Sequence, residues 1–144
     1  ISKYFIKKYY EPDLQLKLIN NLLKLANTSI DISDGLIDDL KKMINRQSVS
    51  FHIFEKNIPI SNTLSQLIEI KKLRKIDITS RGDDYQILFT ANPIKSRIIK
   101  RISNDTGIKI TKIGKIISGK NKSKIINIKN KQIEAKNKGY IHQF

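Results

Sequence analysis

The chain has 144 residues and a formal net charge of +15, from 28 Lys and Arg against 13 Asp and Glu, and it contains no cysteine. That length suits one domain with a real hydrophobic core, and the missing cysteine excludes a disulfide framework or a thiolate metal site. No apolar run approaches the roughly 20 residues that a membrane-spanning helix needs.

Residues 1–12, "ISKYFIKKYYEP", read as an extended lead-in that stops at Pro12. They are basic and aromatic, without the apolar stretch of a secretory signal. The first residue is Ile1 rather than Met, which leads us to expect a fragment or a processed product of something longer. Together these features suggest a cytoplasmic protein. From Asp13, a candidate N-cap, Leu14, Leu16, Leu18, Ile19, Leu22, Leu23 and Leu25 recur at mainly helical spacing and predict a helix to about Ala26.

"SIDIS" predicts a short strand with Ile30 and Ile32 on one face and Asp31 and Ser33 on the other. A helix is expected from about Gly35 to Asn45, with Leu36, Ile37, Leu40, Met43 and Ile44 as its buried stripe. "SVSFHIFE" alternates as a strand, "IPIS" turns into a helix over 63–72, and "YQILFT" is a further strand closed by "ANP". Residues 94–104 form a basic amphipathic pattern with Gly107 just past its end. "IKITKIGKII" and "KIINIK" alternate Ile with Lys as half-exposed strands joined by "SGKNKS". The order predicts an α+β fold with helices packed on a mixed sheet, residues 13–144 making one domain.

The charge is uneven. Residues 95–138 carry a net +12, yet Arg is scarce, lysines alternate with isoleucines, and no aromatic lies between Ala91 and Gly139. A phosphate-binding surface for nucleic acid is one reading. Without a stacking platform, and with Ile, Lys and Asn all in excess, a solvated face with a background lysine bias is preferred.

Six of the nine aspartates fall in two short segments, "SIDISDGLIDDL" and "RGDDYQILFT". In the first, Asp31, Ser33 and Asp34 converge where a strand ends and a helix begins. Hard oxygen donors suit Mg²⁺, which takes one or two protein carboxylates with waters and substrate phosphates. The helix start would offer free N–H groups to an anion beside the metal. Equally, Ser33 or Asp34 would serve as an N-cap, and for Asp31 and Asp34 both readings stay open. Asp38 and Asp39 are read as first-turn acids that complement the helix dipole. Gly82 with Asp83 and Asp84 is either a turn into a strand or a loop that grips a cationic or hydroxylated substrate, the second being slightly favoured. His52 reads as a structural histidine, and His142 has no partner for a triad or a zinc site. No glycine-rich phosphate loop is present.

With these residues in view, the chain resembles the C-terminal half of the thiamine-monophosphate kinases, relatives of aminoimidazole ribonucleotide synthetase and selenophosphate synthetase. The match runs through "YYEPDLQLKL", "SIDISDGLIDDL", "IPIS" and "RGDDYQILFT" to "GYIHQF" at the end. The resemblance implies a synthetase-like, partly ferredoxin-like C-terminal domain. It also implies transfer of the γ-phosphoryl of ATP to thiamine monophosphate, with Mg²⁺ as cofactor. Asp31 and Asp34 are then Mg²⁺ ligands, Ser33 contacts the ATP phosphates, and Asp83 and Tyr140 contact thiamine monophosphate. Direct in-line transfer needs no catalytic side chain from the protein. Partners implied are the chain's own N-terminal domain, without which no turnover is expected, and a second copy in a homodimer. Arg81 stands where the family has a first glycine, Asp83 where it has Glu, and Gln86 where it has a second acid, changes that bear on substrate affinity. Two alternatives accompany this reading: a lysine-rich nucleic-acid-binding domain, and a degenerate, non-catalytic fragment of the same fold.

Overall fold

The computed structural model describes residues 2–136. Contrary to the extended lead-in expected for residues 1–12, Ser2–Tyr10 forms a helix, α1. Nothing in the segment breaks a helix before Pro12, and Lys7 and Lys8 in its last turn complement the dipole. None of its residues is buried, so it has no apolar stripe from which a helical period could be read. The next helix, α2 (Leu16–Leu25), starts later than expected: its N-cap is Gln15, and Asp13 instead pairs with Lys8.

Strand β1 (Thr28–Asp31) has the expected alternation, Ile30 turned inward and Asp31 outward. After it, α3 (Leu36–Met43) buries Leu36, Ile37, Leu40 and Met43. Strand β2 (Val49–Phe54) and a 3₁₀ turn lead to α4 (Asn62–Lys71). Its cap is Ser61, whose hydroxyl accepts the Leu64 N–H at 3.1 Å. A short helix, α5 (Lys75–Thr79), was not expected from the pattern; five residues are too few to show a period. Strand β3 (Ile87–Thr90) precedes α6 (Ser96–Thr106), which ends on left-handed Gly107 as anticipated. The strand expected from Ile108 forms only at β4 (Gly114–Ser118), followed by β5 (Lys124–Ile126) and the two-residue β6 (Gln132–Ile133).

The fold is mixed α+β, and its strands divide between two sheets. β1 and β3 form an antiparallel pair with Asp31 opposite Ile87. The second sheet runs β4-β2-β5-β6, with β2 antiparallel to β4 and parallel to β5. β4 and β5 therefore flank β2 instead of pairing with each other. Buried Ser50 on β2 holds their connection: its hydroxyl donates to the Gly119 carbonyl at 2.6 Å and accepts the Lys122 N–H at 3.0 Å.

One core joins both sheets through α3. Leu36, Ile37, Leu40 and Met43 meet Phe51 and Ile53 of β2, Ile76 of α5, Leu88 of β3 and Ile125 of β5. A second cluster packs α2 on α6 through Leu18, Leu25 and Ile102. Burying side chains of this size stabilises by roughly 1.5–3 kcal/mol each, so α3 and β3, which carry the two acidic segments, are anchored to one body.

Candidate functional site

Beyond the β1–β3 ladder the two acidic segments continue side by side. The Ile32 N–H donates to the Gln86 carbonyl at 2.9 Å, the Tyr85 N–H to the Ile32 carbonyl at 2.8 Å, and the Asp83 N–H to the Ser33 carbonyl at 2.9 Å. Segments some 50 residues apart in the chain are thus laced backbone to backbone, which brings Asp31, Ser33 and Asp34 beside the Asp83 loop.

Two glycines permit this approach. A Cβ on Gly82 would lie 2.3 Å from the Ser33 carbonyl oxygen, and one on Gly35 would lie 2.5 Å from the Ser80 carbonyl oxygen. Both have left-handed φ, +95° and +118°. Asp83 and Tyr85 also adopt positive φ, 58° and 50°, an unfavourable conformation for residues with a Cβ. The Tyr85 hydroxyl donates to Asp83 Oδ1 at 3.3 Å, and the Asp83 charge foremost raises the pKa of that hydroxyl above its ordinary value.

Asp39 organises the first loop. Its side chain is 1% exposed, and Oδ2 accepts the N–H groups of Ser33, Asp34 and Gly35 at 2.9, 2.9 and 3.1 Å. This corrects the expectation that the start of α3 offers those donors to an anion: they point inward at a buried carboxylate. Asp39 is structural, as its first-turn position suggested, but through direct bonds as well as the helix dipole. An acid in the first turn reaching back to unpaired N–H groups is a close relative of the capping box, and this spacing was the available signal. Lys42, one turn on, bridges Asp39 Oδ1 at 2.9 Å and Asp34 Oδ2. Those two bonds, Asp34 first, raise its pKa above the ordinary lysine value. Asp38 pairs with Lys41 at 2.9 Å.

In the second loop, Arg81 is exposed. Asp84 is exposed as a residue, and partial withdrawal of its carboxyl from water, reinforced by the Asp83 charge, pushes its pKa up to about 6. The side-chain amide of Gln86 receives a bond from Gln15 at 3.3 Å, which ties the loop to the approach of α2. A broad open cleft runs past this loop, with Tyr4 and Tyr9 of α1, Asp83, Asp84 and Gln86 in its wall. His52 lies within the larger sheet, opposite Lys115 on β4 and Lys124 on β5, as suits a structural histidine. Tyr140 and His142 lie outside the described residues.

The donor set fits a hard cation in part. Asp31 and Asp34 offer carboxylate oxygens at the end of β1, and a cationic group, the Lys42 ammonium, already sits on Asp34. Among the described residues no cluster of three or more His, Cys, Asp or Glu side chains could hold a metal ion. Two carboxylates are what Mg²⁺ commonly takes from a protein when phosphates and water complete its shell.

The mixed α+β fold is shared with solved thiamine-monophosphate kinases. No protein-family model matches the chain. It is 33% identical to the thiamine-monophosphate kinase of Buchnera aphidicola subsp. Schizaphis graminum, over 99% of its own length and 43% of that protein's. Against the kinase of Aquifex aeolicus it is 34% identical over 86 residues, covering 59% of itself and 28% of that protein. In three dimensions it superposes on the structure of AaThiL complexed with AMPPCP and TMP with a TM-score of 0.71 and 28% identity, covering 96% of this chain and 40% of that one. The chain belongs to the thiamine-monophosphate kinase family and carries a C-terminal segment of it. It spans less than half the length of these relatives.

Proposed function

We infer that this chain supplies the substrate-side half of an ATP- and Mg²⁺-dependent kinase that converts thiamine monophosphate to thiamine diphosphate. The observation that carries the reading is the lacing of Ser33 to Asp83 and of Ile32 to Tyr85 and Gln86, which sets one acidic loop against the other. The kinship with thiamine-monophosphate kinases, one of them solved with AMPPCP and TMP, supports the choice of substrates.

In this reading Asp31 and Asp34 hold Mg²⁺, whose charge offsets the repulsion between ATP and the acceptor phosphate. Ser33 meets the ATP phosphates through its hydroxyl, because its N–H is committed to Asp39. Asp83, fixed by its backbone bond to Ser33, contacts thiamine monophosphate, and Tyr140 packs on the substrate, a favourable pairing for an aromatic ring and a cationic thiazolium. An oxygen of the acceptor phosphate attacks the γ-phosphorus in line, the bond to the β–γ bridging oxygen breaks, and ADP departs. Phosphoryl transfer of this kind depends on positioning and charge neutralisation, with no protein nucleophile. The remaining length of the relatives corresponds to an N-terminal domain that completes the ATP site and the homodimer interface, so the chain alone does not turn over. The complete enzyme works in the cytoplasm.

The test is thiamine diphosphate formation by the full-length protein, parent against Asp31→Asn. Removing one ligand charge is expected to lower kcat/KM by about a hundredfold or more, on the order of an electrostatic contact made in the transition state. A folded full-length parent that forms no thiamine diphosphate would sink the kinase reading, and an Asp31→Asn variant of parental activity would remove Asp31 from the site.

A further inference from the structure

We propose that Lys42 is a built-in counter-ion of Asp34 that a divalent cation must displace, so that the residue at position 42 sets the Mg²⁺ affinity of this site. The inference rests on the reading of Asp34 as a metal ligand.

Two carboxylates lie within reach of the Lys42 ammonium, and they differ in burial. Asp39 is buried, with Oδ2 committed to three backbone N–H groups, so its carboxylate is held in place. The Asp34 carboxylate is 18% exposed. Lys42 joins the two, and its own side chain is half exposed. A lysine carries its charge on a flexible four-carbon stem, so withdrawal from Asp34 requires only rotation about side-chain bonds. An ammonium and a magnesium ion on the same carboxylate would repel each other at close range. Occupation by the metal therefore requires the ammonium to swing away, and it can do so while keeping its bond to Asp39 Oδ1.

The neighbouring residue provides a matched control. Lys41 carries the same charge, sits one position earlier on α3, and pairs with Asp38 rather than with Asp34 or Asp39. Lys41→Met and Lys42→Met change the net charge equally, but the second removes the Lys42 ammonium from Asp34. The experiment is a Mg²⁺ titration of the full-length protein followed by the backbone amide signals of Ser33, Asp34 and Gly35, with no substrate present. Lys42→Met should bind Mg²⁺ about fivefold more tightly than the parent, the scale of one partly exposed ion pair. Lys41→Met and Lys42→Arg should stay within twofold of the parent. In the parent itself, the side-chain signal of Lys42 should move along the same binding curve, a readout that needs no variant. Equal affinities for the two Met variants, weaker binding by Lys42→Met, or a Lys42 signal that ignores Mg²⁺ would each overturn the proposal while leaving the metal site standing. Failure of every protein to bind Mg²⁺ would overturn the metal reading as well.

Discussion

Asp39 gives the sharpest stability prediction, because its work can be counted bond by bond. One buried oxygen accepts three N–H bonds of 2.9, 2.9 and 3.1 Å, and the other accepts the Lys42 ammonium at 2.9 Å. Hydrogen bonds to a charged group contribute roughly 1.5–3 kcal/mol each, but three bonds to one oxygen are not additive. A more realistic bound is the cost of breaking a buried charged contact by removing one partner, about 3–5 kcal/mol. Asp39→Ala is therefore expected to lose about 3–5 kcal/mol, a large share of the roughly 5–15 kcal/mol that holds a domain together. Asp39→Asn keeps a neutral oxygen in place and should lose about half as much, since charge assistance roughly doubles such bonds. Asp38→Ala, which removes the partly exposed pair with Lys41 among its contacts, should cost less, about 1 kcal/mol. Urea unfolding at constant m-value measures all three, and amide exchange at Ser33, Asp34 and Gly35 should accelerate in the Asp39 variants alone. An Asp39→Ala protein within 1 kcal/mol of the parent, or matched by Asp38→Ala, would refute the role given to this carboxylate.

Two further predictions concern the second loop. Gly82→Ala should cost about 2 kcal/mol or more by urea unfolding, because strained φ and a backbone clash combine, and exchange of the Asp83 amide should quicken as the loops part. Gly107→Ala, with positive φ but open space around the site, should cost only about 1 kcal/mol; equal losses at both positions would count against the close approach at Ser33. Asp84 binds its proton more tightly folded than unfolded, with a pKa of about 6 against an ordinary 3.8. Its contribution to stability is therefore greatest below pH 4, declines as pH rises to 6, and is level above that. Solvent around this exposed residue keeps the change to about 1 kcal/mol or less. Asp84→Asn should remove this decline, so a parent-minus-variant difference in melting temperature that is flat from pH 4 to 6 would contradict the shift.

The elements that were legible in the sequence are those whose burial repeats along the chain. Ile30 and Ile32 marked β1, and the Leu36-Ile37-Leu40-Met43 stripe marked α3, because each faces the same core on every turn or every second residue. Helix α1 was hidden because no face of it is buried, and α5 and β6 because five and two residues show no period. The division into two sheets depends on which strand lies beside β2, a long-range choice that alternation in β4 and β5 does not encode. At the site, the acidic residues themselves stood out against a basic chain, and the motif resemblance named their roles. What composition could not give was the direction of the donors: three N–H groups that a helix start presents to an anion are turned here toward Asp39, a residue six or fewer positions away. Lys42 was equally silent, one lysine among 23, until its ammonium was placed between Asp34 and Asp39.

A crystal structure of the full-length protein with Mg²⁺, a non-hydrolysable ATP analogue and thiamine monophosphate tests the central claim most directly. The account predicts a magnesium ion at inner-sphere distance, about 2.1 Å, from carboxylate oxygens of Asp31 and Asp34, with the Lys42 ammonium withdrawn from Asp34 and thiamine monophosphate against the Asp83 loop. Magnesium bound without either aspartate, or substrate bound away from the junction of the two loops, would contradict it.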